Sequence, residues 1–165
     1  MTKAIYPGSF DPITLGHLDI IRRISPLFSE LVVVVANSQR KQYLFTLEER
    51  VQLIRDNLKE LPQVRIDKCD GLITEFAESI GARVMVRGLR QVSDFEYEFA
   101  MANMNRKLKD SVETMIVFTR PEYSFVASHM VKEVAHHGGD LSNLVPGNVS
   151  EALKKKITGN INLKR

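Results

Sequence analysis

The chain has 165 residues, 44% apolar and 26% charged, and its 23 Lys and Arg against 20 Asp and Glu leave a net charge of +3. These are the values of one globular domain, so disordered and fibrous classes drop out, and so small an excess makes no nucleic-acid binder unless cations converge locally. The longest apolar run, residues 31–36, is too short to span a bilayer, and the lone Cys69 supplies no internal disulfide or metal cluster.

No signal-peptide apolar stretch precedes Pro7-Gly8, so a cytoplasmic protein with no membrane or nucleic-acid partner is expected. Residues 3–6 read as the first strand, stopped by Pro7 and Gly8, with Gly8 letting the backbone come close to a ligand. A helix follows over 17–28, apolar at Leu18, Ile21, Ile24 and Phe28. Gly16-His17 opens it, so backbone N–H groups and the positive dipole end face the 7–17 loop. A phosphate chain there would meet those donors and the His17 imidazole. A tight turn with a helix-capping histidine is the plainer reading of Gly16-His17 taken alone. No Gly-Lys-Ser/Thr follows, and no G-x-G-x-x-G occurs, so this is not a P-loop or a dinucleotide fingerprint.

Residues 31–36 form the second strand, followed by the polar loop 37–41 with Lys41, a lysine that is either functional or solvated. Thr46-Leu47-Glu48-Glu49 is a capping box, and Leu47, Val51, Ile54, Leu58 and Leu61 continue a helix. Residues 64–67 read as the third strand. A helix over 72–80 then stops at Gly81. Residues 83–86 make the fourth strand, leaving Arg87-Gly88-Leu89-Arg90 on a loop where two guanidinium forks suit phosphate oxygens or surface ion pairs. Ser93-Asp94-Phe95-Glu96 predicts a second capping box and a helix to about Leu108, although 95–99 alternates like a strand; Glu98 reads as a solvated helix charge.

Residues 113–118 form the fifth strand. The 126–137 helix ends at Gly138-Gly139, and near its start Ser128 offers a hydroxyl and N–H to a phosphate or serves as an N-cap. His136-His137 is expected to face solvent, because metal-binding histidines on a helix are usually three or four apart. A last helix covers 148–157, and 158–165 reads as a frayed basic tail of the single 1–165 domain.

The five strands lack polar alternation, as in strands covered on both faces. Strand-helix alternation with short loops predicts an α/β fold: a Rossmann-like, doubly wound, five-stranded parallel sheet with helices on both faces. Such sheets bind ligands beyond the carboxyl ends of their strands. The odd polar residues of 8–17, 37–41, 87–90 and 119–128 all fall on that edge.

Five segments carry a resemblance: Tyr6-Pro7-Gly8-Ser9-Phe10-Asp11-Pro12-Ile13-Thr14-Leu15-Gly16-His17, Phe45-Thr46-Leu47-Glu48-Glu49-Arg50, Arg87-Gly88-Leu89-Arg90, Asp94-Phe95-Glu96-Tyr97-Glu98 and Val131-Lys132-Glu133-Val134. In that order and spacing they resemble the bacterial phosphopantetheine adenylyltransferases over nearly the whole chain. The wider superfamily has His-x-Gly-His in the first motif; the pantetheine branch has Thr-x-Gly-His, as at Thr14 and His17. The resemblance implies transfer of the adenylyl group of ATP to 4′-phosphopantetheine, giving dephospho-coenzyme A and pyrophosphate, with Mg²⁺. It also implies that Ser9, Phe10, His17, Gly88, Leu89, Arg90, Glu98 and the run Tyr123, Ser124, Phe125, Val126, Ala127, Ser128, His129 contact ATP. Ser9, Lys41, Ile73 and Arg87 would contact the pantetheine substrate. A homohexamer inhibited by coenzyme A is the family's usual form.

The chemistry agrees with that expectation. The acceptor is already an anion, so positioning and charge stabilisation suffice, and His17, Lys41 and Arg90 are the expected catalytic residues, with neither a general base nor a nucleophile. Mg²⁺ would be held mainly by phosphates and water, because no acidic cage is visible. One departure stands out: Val126-Ala127-Ser128-His129 replaces the family's Ile-Ser-Ser-Ser. Transfer to another phosphate, such as nicotinamide mononucleotide or glycerol phosphate, is the second enzyme reading, and Thr14 argues against it. A non-catalytic ATP-binding module is a third, against which the set His17, Lys41, Arg87 and Arg90 stands.

Overall fold

The computed structural model describes residues 2–162. Strands β1 (Lys3–Gly8), β2 (Glu30–Ala36), β3 (Val64–Cys69), β4 (Val84–Leu89) and β5 (Glu113–Phe118) form one parallel sheet in the order β3-β2-β1-β4-β5. The helices are α1 (Leu15–Ile24), α2 (Leu47–Asp56), α3 (Ile73–Ser79), α4 (Val92–Leu108), α5 (Ser128–His136) and α6 (Gly147–Asn162). The expected doubly wound α/β sheet is the one observed.

Strand alternation sorts the core into two layers. Ala4, Tyr6, Leu31, Val33, Val35 and Val86 face α1, α2, α5 and α6, meeting Leu18, Ile21, Ile54, Val131, Val149 and Leu153. Ile5, Val32, Val34 and Met85 face the other way, onto Ala77 of α3. Residues Leu31 to Val35 are fully buried, which explains why this strand carries no polar position. No helix among the described residues is long and apolar enough to cross a membrane.

Several boundaries differ from expectation. Pro7 and Gly8 do not stop β1; they continue it in register with Val34 and Val35, since proline's φ is compatible with extended backbone. Arg87, Gly88 and Leu89 are not loop residues either. Pairing with Ile116, Val117 and Phe118 of β5 extends β4 through them. The first helix is capped at Thr14 and gives way after Ile24 to a 3₁₀ turn at Ser25–Leu27. The box at Thr46 forms, with Glu49 returning to the Thr46 N–H. The one expected at Ser93 does not: α4 starts at Val92, which puts Ser93 inside its first turn, and Asp94 accepts the Arg90 N–H.

The edge strands are not covered on both faces: Met115, Ile116 and Phe118 of β5 stand exposed. The alternation at 95–99 belongs to a helix whose Phe95 and Phe99 stack one turn apart on the outside. Helix α5 begins at Ser128 rather than 126, and His136 and His137 at its end are exposed. Helix α6 continues to Asn162, past the frayed tail expected from 158, because its buried Val149 and Leu153 anchor it; residues 163–165 lie outside those described.

Candidate active site

Strands β1 and β4 are neighbours whose chains run on to opposite sides of the sheet, and the crevice at such a switch point is where open α/β sheets bind ligands. Here it is a cleft of about 390 Å³. Of the expected site residues, Ser9, Phe10, His17, Arg87, Gly88, Arg90, Glu98, Val126, Ser128 and His129 line it.

Its floor is built by the loop after β1. Thr14 caps α1, and the backbone N–H of Thr14 donates to Nδ1 of His17 at 3.1 Å. A backbone N–H can only donate, so Nδ1 accepts and the proton of the neutral ring sits on Nε2. Burial, with the charges of Arg90 and Arg87 beside it, lowers the His17 pKa to about 4. His17 is therefore a neutral donor near pH 7. Of the N–H groups at this helix start, that of Leu15 goes to the Leu144 carbonyl and that of His17 to Thr14 Oγ1. The ring, more than the bare helix end, is what the loop presents.

Phe10 has a left-handed φ of 46°, uncommon for a bulky residue, and its buried ring meets His17 edge-on at 5.1 Å between centroids. Gly8 makes room for that ring: a Cβ on Gly8 would fall 2.8 Å from Phe10 Cζ. Its role is thus to admit a side chain as well as to border the cleft. Arg50, fully buried, braces the loop through the Ser9 and Ala36 carbonyls at 2.7 and 3.1 Å and Asn37 Oδ1 at 2.9 Å.

The two arginines are not bare cations. Arg87 donates through Nε and Nη2 to the Glu98 carboxylate at 2.8 and 2.7 Å and through Nη1 to the Pro7 carbonyl at 2.8 Å. Burial works against its charge, but the Glu98 pairing outweighs it and raises the Arg87 pKa. Glu98 is consequently buried, not the solvated charge read from the sequence. Arg90 pairs with Asp94 through Nε and Nη2, both at 3.2 Å. Arg87 and Arg90 against Asp94 and Glu98 leave the cleft lining formally neutral. Among the described residues no group of three or more His, Cys, Asp or Glu is placed to hold a metal ion.

Other expected residues stand around the cleft rather than in its lining. Lys41 is exposed, its Nζ 3.5 Å from Ser9 Oγ at the rim. Leu89 is buried at the end of β4, Ile73 packs against the α3-side core, and Ala127 is the buried residue before α5. Tyr123 backs Gly16, Ser124 Oγ donates to the Pro121 carbonyl, and Phe125 is exposed. The Ser128 hydroxyl donates to the Pro12 carbonyl at 2.8 Å, so its proton is not free for a ligand. Lining residues that sequence reasoning passed over include Tyr6, Ile20, Ser93, Asp94 and Tyr97. Thr14 and its hold on His17 were signalled by Thr-x-x-His, which has the spacing of a capping box.

A family profile described as cytidylyltransferase-like matches residues 5–134. A phosphopantetheine adenylyltransferase of Bdellovibrio bacteriovorus is 55% identical over 154 residues, covering 93% of this chain and 96% of its own. Enzymes of the same name from Caldanaerobacter subterraneus and Desulforudis audaxviator are 49% and 51% identical, each over 95% of this chain and 98% and 96% of their own. Among solved structures, a Vibrio parahaemolyticus protein assigned as a nicotinate-nucleotide adenylyltransferase superposes with a TM-score of 0.67 at 21% identity, covering 94% of this chain and 93% of that one, which is a likeness of fold.

Proposed function

The chain belongs to the phosphopantetheine adenylyltransferase family of cytidylyltransferase-like proteins, and on that footing we propose that it transfers the adenylyl group of ATP to 4′-phosphopantetheine. An oxygen of the acceptor phosphate attacks the α-phosphorus in line. That bond forms as the bond to the bridging oxygen breaks, dephospho-coenzyme A results, and pyrophosphate leaves with the electron pair.

The observation that carries the reading is His17 as a neutral Nε2–H donor beside Arg90 in one cleft. A neutral donor stabilises charge developing on the transferred phosphoryl group without taking a proton, which suits an acceptor that has none to give up. Ser9, Phe10, Gly88, Glu98, Ser128 and His129 border the nucleotide in this reading; Lys41 and Ser9 meet the acceptor phosphate at the rim. Arg87, tied to Glu98 and Pro7, acts as a fixed wall for the acceptor. Mg²⁺, where bound, would supply neutralising charge to the phosphates. Because Asp94 and Glu98 are both paired with arginines, phosphates and water would be its main ligands. Coenzyme A shares the adenylate and pantetheine arm of the product, so the same cleft would take it as an inhibitor.

Helix α4 exposes Val92, Phe95 and Phe99 along one flank, and β5 exposes Phe118. Large apolar side chains left exposed along a helix suit a protein interface, which supports the homohexamer of the family. A cytoplasmic place fits the pathway this chemistry serves. Pyrophosphate release with ATP and 4′-phosphopantetheine tests the assignment. Unphosphorylated pantetheine should give none, lacking the attacking anion, and equal turnover with nicotinamide mononucleotide would overturn it.

A further inference from the structure

Two segments of the family pattern, 45–50 and 131–134, hold no residue assigned above to a substrate, yet both are bonded to the loop after β1. The joint is Asp11, whose carboxylate is 5% exposed. Its Oδ1 accepts the Phe45 N–H at 2.9 Å, and its Oδ2 accepts the Leu44 N–H at 3.0 Å and Lys132 Nζ at 2.8 Å. Leu44 and Phe45 close the loop that carries Lys41. Lys132 lies one turn along α5 from Ser128, whose hydroxyl donates to the next residue of the Asp11 loop, Pro12. One carboxylate thus joins the three segments that carry His17, Lys41 and the Ser128-His129 helix start.

Stability alone is a poor reason for this arrangement. Taking a carboxylate and an ammonium out of water costs about as much as their attraction returns, so such pairs add little net stability. What they do fix is geometry, and only an ionised carboxylate accepts three donors at once; an amide would turn an N–H₂ toward a backbone N–H. We propose that Asp11 is a positioning residue that sets the Lys41 loop and the α5 N-terminus relative to His17, a role that rests on the adenylyl-transfer reading above. Lys132 is its arm toward the nucleotide side, and the Leu44 and Phe45 amides are its arm toward the acceptor side.

The test is steady-state kinetics with each substrate varied in turn, ATP binding by calorimetry, and thermal midpoints, for wild type, Lys132→Met, Lys132→Arg and Asp11→Asn. Lys132→Met should raise the ATP KM and Kd about tenfold and leave the acceptor KM unchanged, because it frees only α5. Lys132→Arg should restore most of the loss, and Asp11→Asn should raise both KM values. A merely structural role would lower the midpoints while both KM values of the folded protein stay at wild type; that result, or an equal rise of both in Lys132→Met, overturns the proposal. Should Asp11→Asn not fold, the two Lys132 variants decide alone. A wild type inactive with 4′-phosphopantetheine would refute the substrate reading instead, and ATP calorimetry on the Lys132 variants would still decide whether Asp11 positions the nucleotide side.

Discussion

The backbone N–H of Thr14 points at Nδ1 of His17, 3.1 Å away, and thereby fixes which ring nitrogen carries the proton. With Nε2–H aimed at the cleft, the ring is a donor and not a nucleophile. Replacing His17 by Ala should lower kcat by about 10²–10³, the usual loss for one transition-state donor, with little effect on ATP binding. Rapid-quench analysis should find no adenylylated histidine.

The same ring should leave a mark on stability. Its pKa is about 4 when folded and 6.5 when not. Between those values the unfolded chain binds a proton the folded chain refuses, so stability rises with pH through this window and is lost as pH falls through it. Above pH 6.5 the ring contributes no slope. Denaturant titrations of wild type and His17→Gln from pH 4 to 8 should run parallel at the upper end and converge or cross below it. Parallel curves throughout would mean that His17 titrates normally in the folded protein.

Gly8→Ala should damage both packing and catalysis. The added Cβ would press on a ring that is buried on one side and braced against His17 on the other. Overpacking of this kind costs about 1–3 kcal/mol. A lower denaturation midpoint together with a lower kcat is the expected result, and a midpoint loss without a kcat loss would separate Phe10 from the placement of His17.

His129 borders the cleft at the start of α5, with its side chain exposed. The Ser128 hydroxyl is engaged with Pro12, so phosphate contact here falls to backbone N–H groups of the helix start. ATP affinity of wild type and His129→Ser should accordingly share one pH dependence between 5.5 and 8. A loss of affinity with rising pH in wild type alone would put the imidazole itself on the phosphates.

The α4 surface offers a direct mass measurement. Phe95 and Phe99 stack at 5.8 Å between centroids in full view of solvent. Phe95→Glu with Phe99→Glu should reduce the native mass measured by light scattering toward that of one chain while the circular dichroism spectrum is kept. An unchanged mass would place the subunit contacts elsewhere.

What was legible from sequence was whatever depends on near neighbours. Thr46 and Glu49 are three residues apart and form the box their spacing announces. The order of strands and helices follows from local runs in the same way, as does the gathering of polar loops on one sheet edge. What was not legible depends on distant partners. Arg87 reads as a loop residue because nothing nearby says that β5 pairs with it, and Glu98 reads as solvated because its partner is on another element. Ser93 is no cap because α4 starts before it, at Val92, a start that the spacing of Ser93 and Glu96 does not announce. Of the run 123–129, Val126, Ser128 and His129 border the cleft and Tyr123 backs Gly16, placements that depend on the loop after β1 and not on near neighbours.

The pairing of Arg87 with Glu98 and of Arg90 with Asp94 has a consequence for how a ligand arrives. A cleft lined by two cations and two anions projects almost no field past the Debye length, about 8 Å at physiological ionic strength. The lining itself therefore adds little long-range pull on a polyanion; it recognises one on contact, when the Arg90 fork exchanges a carboxylate for a phosphate. Such an exchange favours a ligand whose own charge is already partly neutralised by a bound cation, and Lys41 at the rim is the positive charge it meets first.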